Sequence, residues 1–89
     1  MDLTRYPIFG LAKASMAAGG VAPAIYNAAN EIAVAAFLNG NIPFLAIPRI
    51  VEHTLGAIRN FEPSDLASVL AADADARRVA TAHLKSLSL

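Results

Sequence analysis

An all-α fold, a small antiparallel bundle of four main helices, is predicted by three features of the 89-residue sequence. Apolar residues recur at helical spacing in almost every segment. Proline and glycine pairs punctuate the chain and leave only short connections, which favour antiparallel neighbours. No strand alternation of useful length, internal repeat or low-complexity tail interrupts this pattern. A chain of this size supports one domain, taken here as residues 1–89, with a limited core.

The elements follow in order. Pro7 is placed to open the first helix, because a first-turn residue needs no backbone donor. That helix, "IFGLAKASMAA", ends at Gly19-Gly20, a C-cap signal, and Ile8, Leu11, Ala12, Ser15 and Met16 define one face. Pro23 opens the second helix, which runs through Leu38 to Asn39-Gly40. Ile25, Ala28, Ala29, Ile32, Ala33 and Ala36 cover one broad side, with Val34 and Leu38 on the other. A helix apolar nearly all round is expected to be central and buried. The third helix begins near Ile47 or Pro48 without an obvious cap and carries Ile50, Val51, Leu55 and Ile58; Gly56 weakens it. After "RNFEPSD", Ser64 is expected to cap a short helix, "DLASVLA". Asp73 is expected to cap a separate last helix, "ADARRVATAHLKSL", with Asp75 and Lys85 suited to its two ends and Val79, Ala82 and Leu87 facing inward.

Composition narrows the function. Hydrophobic residues are 56% and charged residues 16%, with mean hydropathy +0.50. Those values are apolar for a small domain with a large surface to keep wet. Part of that surface is therefore expected to meet another chain or a missing part of the same one, and self-association through it is expected too. Net charge is zero and no basic stripe appears, which argues against nucleic acid. No cysteine is present, so disulfides and thiolate chemistry are excluded, which suits a cytoplasmic protein. The start, "MDLTRYPIFG", lacks a signal pattern, and the longest apolar run, Ile32 to Leu38, is too short for a membrane span.

The main candidate site is Asn27, Asn30 and Glu31, spaced i, i+3 and i+4 on one helix face. Two amides and one carboxylate make neither an acid-base pair nor a hard-metal site. Asn27 and Asn30 both donate and accept, so they suit the open backbone of a neighbouring turn or helix end. Glu31 needs a cation if buried, and Arg5 or Arg77 is the candidate. A structural or docking role is favoured over ligand contact. His53 and His83 stand alone in sequence, without metal-ligand spacing, and read as surface or half-buried side chains. Arg77 and Arg78 read as a solvated face or an interface. Gly19-Gly20 is no phosphate loop, because the Lys-Ser/Thr and the preceding strand are missing. From the residues alone no active site can be built.

The segment "RYPIFGLAKASMAAGGVAPAIYNAANEIAVAAFLNGNIPF" resembles the C-terminal helical domain of 1-deoxy-D-xylulose 5-phosphate reductoisomerase. The marks are Arg5-Tyr6-Pro7, the glycine pair, and Asn27-Ala28-Ala29-Asn30-Glu31. Further on come "FLAIPRIVEHTL" and the Asp-Ala-x-Ala-Arg pattern at Asp73, Ala74, Ala76 and Arg77. The resemblance covers Asp2 to about Leu87; it departs where Leu45 and Ala46 stand in place of a polar cap before the third helix. It implies a parent enzyme with an N-terminal dinucleotide-binding domain, a central catalytic domain and this bundle. That enzyme converts 1-deoxy-D-xylulose 5-phosphate to 2-C-methyl-D-erythritol 4-phosphate on the non-mevalonate route to isoprenoids, using NADPH and a divalent metal, Mg or Mn. The catalytic, metal, phosphate and nucleotide residues of the family belong to the other domains, so none is carried over here and no cofactor is expected in this chain. Asn27, Asn30, Glu31, Asp73 and Arg77 are then expected to be structural or docking residues that brace the catalytic domain and linker. Met1 directly before Asp2 suggests a truncated form or a domain-only product. The rival readings are a stand-alone helical protein–protein interaction module and, less well supported by the residues, a small enzyme in its own right.

Overall fold

The computed structural model describes residues 7–87, with side chains described from residue 10 onward except at 11, 12 and 87. Four helices follow one another: α1 (Pro7–Ala18), α2 (Ala22–Leu38), α3 (Ala46–Ala57) and α4 (Leu66–Leu87). The described residues contain no strand.

Glycine ends the first two helices for a backbone reason. Gly19, Gly20 and Gly40 have φ of 67°, 59° and 75°, in the left-handed region that L side chains rarely adopt. After α2, Gly40 N–H donates to the Phe37 carbonyl at 3.0 Å and Asn41 N–H to the Ala36 carbonyl at 2.9 Å. That pair of bonds is a Schellman motif, and it satisfies carbonyls that the helix end would leave open. Pro23 sits in the first turn of α2, where its missing N–H costs nothing. α3 starts at Ala46 without a side-chain cap and ends with Ile58 extended, at φ −109° and ψ 125°. Ile58 is thus a packed cap residue and not part of the helix.

α4 corrects the expected break. The short helix and the last helix are one continuous helix of 22 residues. Nothing between Leu66 and Arg77 is a proline or glycine, and the alanines there favour helix. Asp73 is therefore in the helix interior and caps nothing. The cap is Asp65: its Oδ1 accepts from Ser68 N–H at 2.9 Å, while its own N–H points at Ser68 Oγ at 3.4 Å. This reciprocal pair is a capping-box arrangement, and it displaces Ser64 from the role.

The core is built on alanine. Val21, Ile25 and Ala28 of the α2 end pack with Ala72 and Ala76 of α4. Ala29, Ala33 and Ala36 pack with Ile47, Ile50 and Val51 of α3 and with Ala80. Low-numbered residues of α2 meet low-numbered residues of α4, so these two helices run side by side in the same sense, with α3 returning between them in sequence. The inward stripe of α4 is Ala72, Ala76 and Ala80, each one turn apart. Val79 is only half-buried and Ala82 is exposed, against the expectation, because that stripe is already set by the spacing of the smaller residues. Leu87's side chain lies outside the described residues. Small side chains on both helices suit a close approach of their axes.

The molecule measures 38 × 31 × 18 Å. α2, α3 and α4 touch one another pairwise, so they enclose a three-sided seam and each keeps an outer side free. α2 touches the other three helices, yet Leu38 at its end is 75% exposed. Met16 of α1 is exposed as well, while Ser15 beside it is buried; the other expected members of that face, Ile8, Leu11 and Ala12, have side chains outside the described residues.

The α1–α2 turn carries the strongest local test. A Cβ on Gly20 would sit 2.6 Å from both Asn60 Oδ1 and the Phe61 carbonyl oxygen, whereas a Cβ on Gly19 would meet open space. Gly20→Ala is expected to lower unfolding stability by roughly 2 kcal/mol or more, and Gly19→Ala by about 1 kcal/mol from backbone strain alone. Urea melts of the two variants check the order.

Candidate functional site

Asn27, Asn30 and Glu31 lie on the flank of α2 that faces along α4. Asn27 and Glu31 are exposed and Asn30 is half-buried. Arg77, from the α4 turn alongside, pairs its Nη2 with Glu31 Oε2. The same guanidinium donates through Nε to Asp73 Oδ2 at 2.8 Å, one turn back on α4. Arg77 therefore ties two carboxylates on two helices. The bonds to Asp73 and then to Glu31 hold its pKa well above the usual arginine value, so it is a permanent cation. Arg5, the other candidate partner for Glu31, lies outside the described residues. Arg78 points away and pairs with Asp75 at 3.0 Å.

The asparagine amides behave differently. Among the described residues, neither Asn27 nor Asn30 has a side-chain hydrogen bond. The asparagine that binds a neighbouring turn is Asn60, in the α3–α4 connection. Its Oδ1 accepts from Val21 N–H at 2.9 Å and Ala22 N–H at 3.1 Å. Its Nδ2 donates to the Gly19 carbonyl at 3.2 Å. Val21 N–H also points at the Phe61 carbonyl at 3.1 Å. Val21, the residue before α2, offers no side-chain cap, so Asn60 caps the helix from a distance. Sequence reasoning missed it. Its signal was only an amide in the break "RNFEPSD", and the turn it serves is 38 to 41 positions away.

The bridge sits within a wider exposed surface. Leu66 and Leu70 precede Asp73 and Arg77 at one-turn spacing on α4 and are 71% and 59% exposed. On α2, Val34 and Leu38 continue the stripe of Asn27 and Glu31. Polar groups thus lie at the centre of a face with leucines at both ends. Around the α2–α3 turn, Phe44 and Leu45 are exposed, and Phe44 meets Phe37 edge-on at 5.5 Å between ring centres. On the α3–α4 side, His53 and His83 stack with ring centres 4.0 Å apart, a pairing that their separation in sequence hid.

Among the described residues no acid-base constellation stands out. Among the described residues, no three His, Cys, Asp or Glu side chains converge to hold a metal ion. No helix there is long and apolar enough to cross a membrane.

Residues 1–79 match the family described as the DXP reductoisomerase C-terminal domain. The chain belongs to that family. It is 52% identical over 83 residues to the 1-deoxy-D-xylulose 5-phosphate reductoisomerase of Acidithiobacillus ferrooxidans, covering 93% of this chain and 21% of the relative. It is 53% identical over 87 residues to that of Cupriavidus metallidurans, covering 98% of this chain and 22% of the relative. A solved structure of the Zymomonas mobilis reductoisomerase in complex with NADPH superposes with a TM-score of 0.89 at 49% identity, over 96% of this chain and 22% of that one. The chain therefore spans about a fifth of the length of the reductoisomerases it matches. The helical architecture expected of the reductoisomerase C-terminal domain is the one observed.

Two substitutions separate the pin from the face. Asn60→Ala removes the three side-chain bonds to the turn before α2, leaving Val21 N–H on the Phe61 carbonyl and Ala22 N–H on the Gly19 carbonyl, and is expected to cost about 1–3 kcal/mol. Asn30→Ala removes no bond within the described residues and is expected to change stability by less than about 0.5 kcal/mol. Denaturant midpoints of both variants at one pH check the contrast.

Proposed function

We propose that this chain is the C-terminal structural domain of an NADPH-dependent 1-deoxy-D-xylulose 5-phosphate reductoisomerase of the non-mevalonate route. It braces the catalytic domain and the linker and is not catalytic by itself. The observation that carries this reading is near-50% identity across almost the whole chain to the same fifth of proteins named for that activity, one of them solved with NADPH. The whole of residues 1–89 serves as one domain in this reading.

The face around Asn27, Asn30, Glu31, Asp73 and Arg77 is the proposed contact with the rest of the enzyme. Its support is chemical. The Asn27 and Asn30 amides are free to take backbone groups of a partner, and exposed leucines at either end supply apolar area. The ion pairs fix Arg77 so that little side-chain freedom is lost on docking. In this reading NADPH and the divalent metal, Mg or Mn, belong to the other domains of the parent enzyme. A cytoplasmic location goes with that biosynthetic role. The same exposed apolar residues are expected to drive weak self-association when the rest of the enzyme is missing.

Two assays test the proposal together. The purified chain, given 1-deoxy-D-xylulose 5-phosphate, NADPH and Mn²⁺, is expected to oxidise no NADPH. The Zymomonas mobilis enzyme with its corresponding 22% replaced by this chain is expected to keep turnover within about tenfold of its parent, the loss being that of about 1.4 kcal/mol in the barrier. Turnover by the chain alone, or a folded chimera without activity, would contradict it.

A further inference from the structure

We infer that the His53–His83 stack is a proton-sensitive contact between α3 and α4, closed while at most one ring is charged and repelled when both are. The inference stands on geometry. The two rings lie 4.0 Å apart between centres and 13° from parallel. Face-to-face imidazoles at that distance stack well when neutral. Two imidazolium rings there repel each other across a short gap that admits no water.

The surroundings do not relieve that repulsion. The rings border an open depression of about 580 Å³ lined by Arg49, Glu52, His53, Gly56, Ala57 and His83. Arg49 lies one turn before His53 on α3 and adds positive charge. Among the described residues of the lining Glu52 is the carboxylate, and as the neighbour of His53 along the helix it does not face that ring directly. α4 contributes His83 to the described lining, and no described residue of α1 or α2 lines it. Parallel rings also point their nitrogen lone pairs side by side and not at one shared point, so the pair is poorly set to chelate a cation.

Burial, and then the charge of His53, hold the His83 pKa below the ordinary histidine value. The sign follows from linkage. The folded chain binds fewer protons than the unfolded chain at His83, so its contribution to stability is complete above the unfolded value of about 6.5. That contribution is lost as pH falls through the lower folded value. The window therefore opens at that ordinary value and extends downward from it.

Proton NMR of the two imidazoles, followed from about pH 8 to about pH 5, tests this directly. His83 is expected to gain its proton below the ordinary histidine value. In His53→Gln, which removes the charge but keeps an amide at an exposed site, the His83 midpoint is expected to rise toward about 6.5. The fall in denaturant midpoint between neutral and mildly acidic solution is expected to shrink in the same variant. A His83 midpoint at the ordinary value in the unsubstituted chain would overturn the inference. So would a His83 midpoint that His53→Gln leaves in place. Should that variant not fold, the His83 midpoint of the unsubstituted chain decides the matter by itself.

Discussion

The close approach of α2 and α4 along facing alanines is the constraint on which the rest depends. Ala28, Ala29 and Ala33 on one helix and Ala76 and Ala80 on the other are fully buried. A side chain with one carbon beyond the backbone contributes little apolar area by itself. What it permits is two backbones near enough to exclude water along several turns, with the larger Ile25, Ile50 and Val51 filling the space at the seam's edge. The parallel run of α2 and α4 sets the register. Once Ala28 and Ala76 are in place, Glu31 and Arg77 are brought alongside one another, and His83 is carried to the side of α3 where His53 waits. Exposed ion pairs contribute modestly at best, so the bridge reads as a consequence of the register and not as its cause.

The connections work by a second, complementary device. The turn before α2 needs two successive left-handed residues, which only glycine adopts freely, and it leaves amide donors pointing outward. Asn60 and the Phe61 carbonyl take those donors from across the chain. One amide thereby joins the α1–α2 turn to the α3–α4 connection and shuts the space where a Gly20 side chain would otherwise go. A small domain with so little apolar volume gains from such a long-range polar clasp, because the alternative is an open helix end in a half-buried place.

Much of this was legible in the sequence, and the exceptions have physical causes. Helix punctuation by Gly19-Gly20, Pro23 and Asn39-Gly40 was readable because backbone strain and missing donors act locally. The division of α4 into two helices was misread because Asp73 looks like a cap; Asp65 and Ser68, a better reciprocal pair, lay in plain view eight residues earlier. α2 is central, touching the other three helices, but it is not buried all round. Residue pattern reports which faces are apolar, but not that three mutually touching helices leave the outer side of α2 open. Asn60 and the histidine stack were not legible at all. Both depend on residues tens of positions apart meeting in space, and neither carries a local pattern. Family likeness, by contrast, was plain in the run Asn27-Ala28-Ala29-Asn30-Glu31, whose alanines Ala28 and Ala29 are buried in the seam.

So apolar a chain still leaves Leu38, Leu45, Leu66 and Leu70 in solvent. Four helices packed through alanine seams bury the lines where they meet and leave their outer faces open. The chain spans about a fifth of the length of the relatives it matches.

The most direct test of the alanine seam compares two substitutions on α4. Ala76 is fully buried in the seam, and Ala74, two residues before it, is exposed. Measured by urea unfolding, Ala76→Leu is predicted to lose about 1–3 kcal/mol or more as the helices are forced apart, with Ala74→Leu within about 0.5 kcal/mol of the parent. Equal stability of the two variants would contradict the account, because helices free to tolerate a leucine there are not held by close alanine contact.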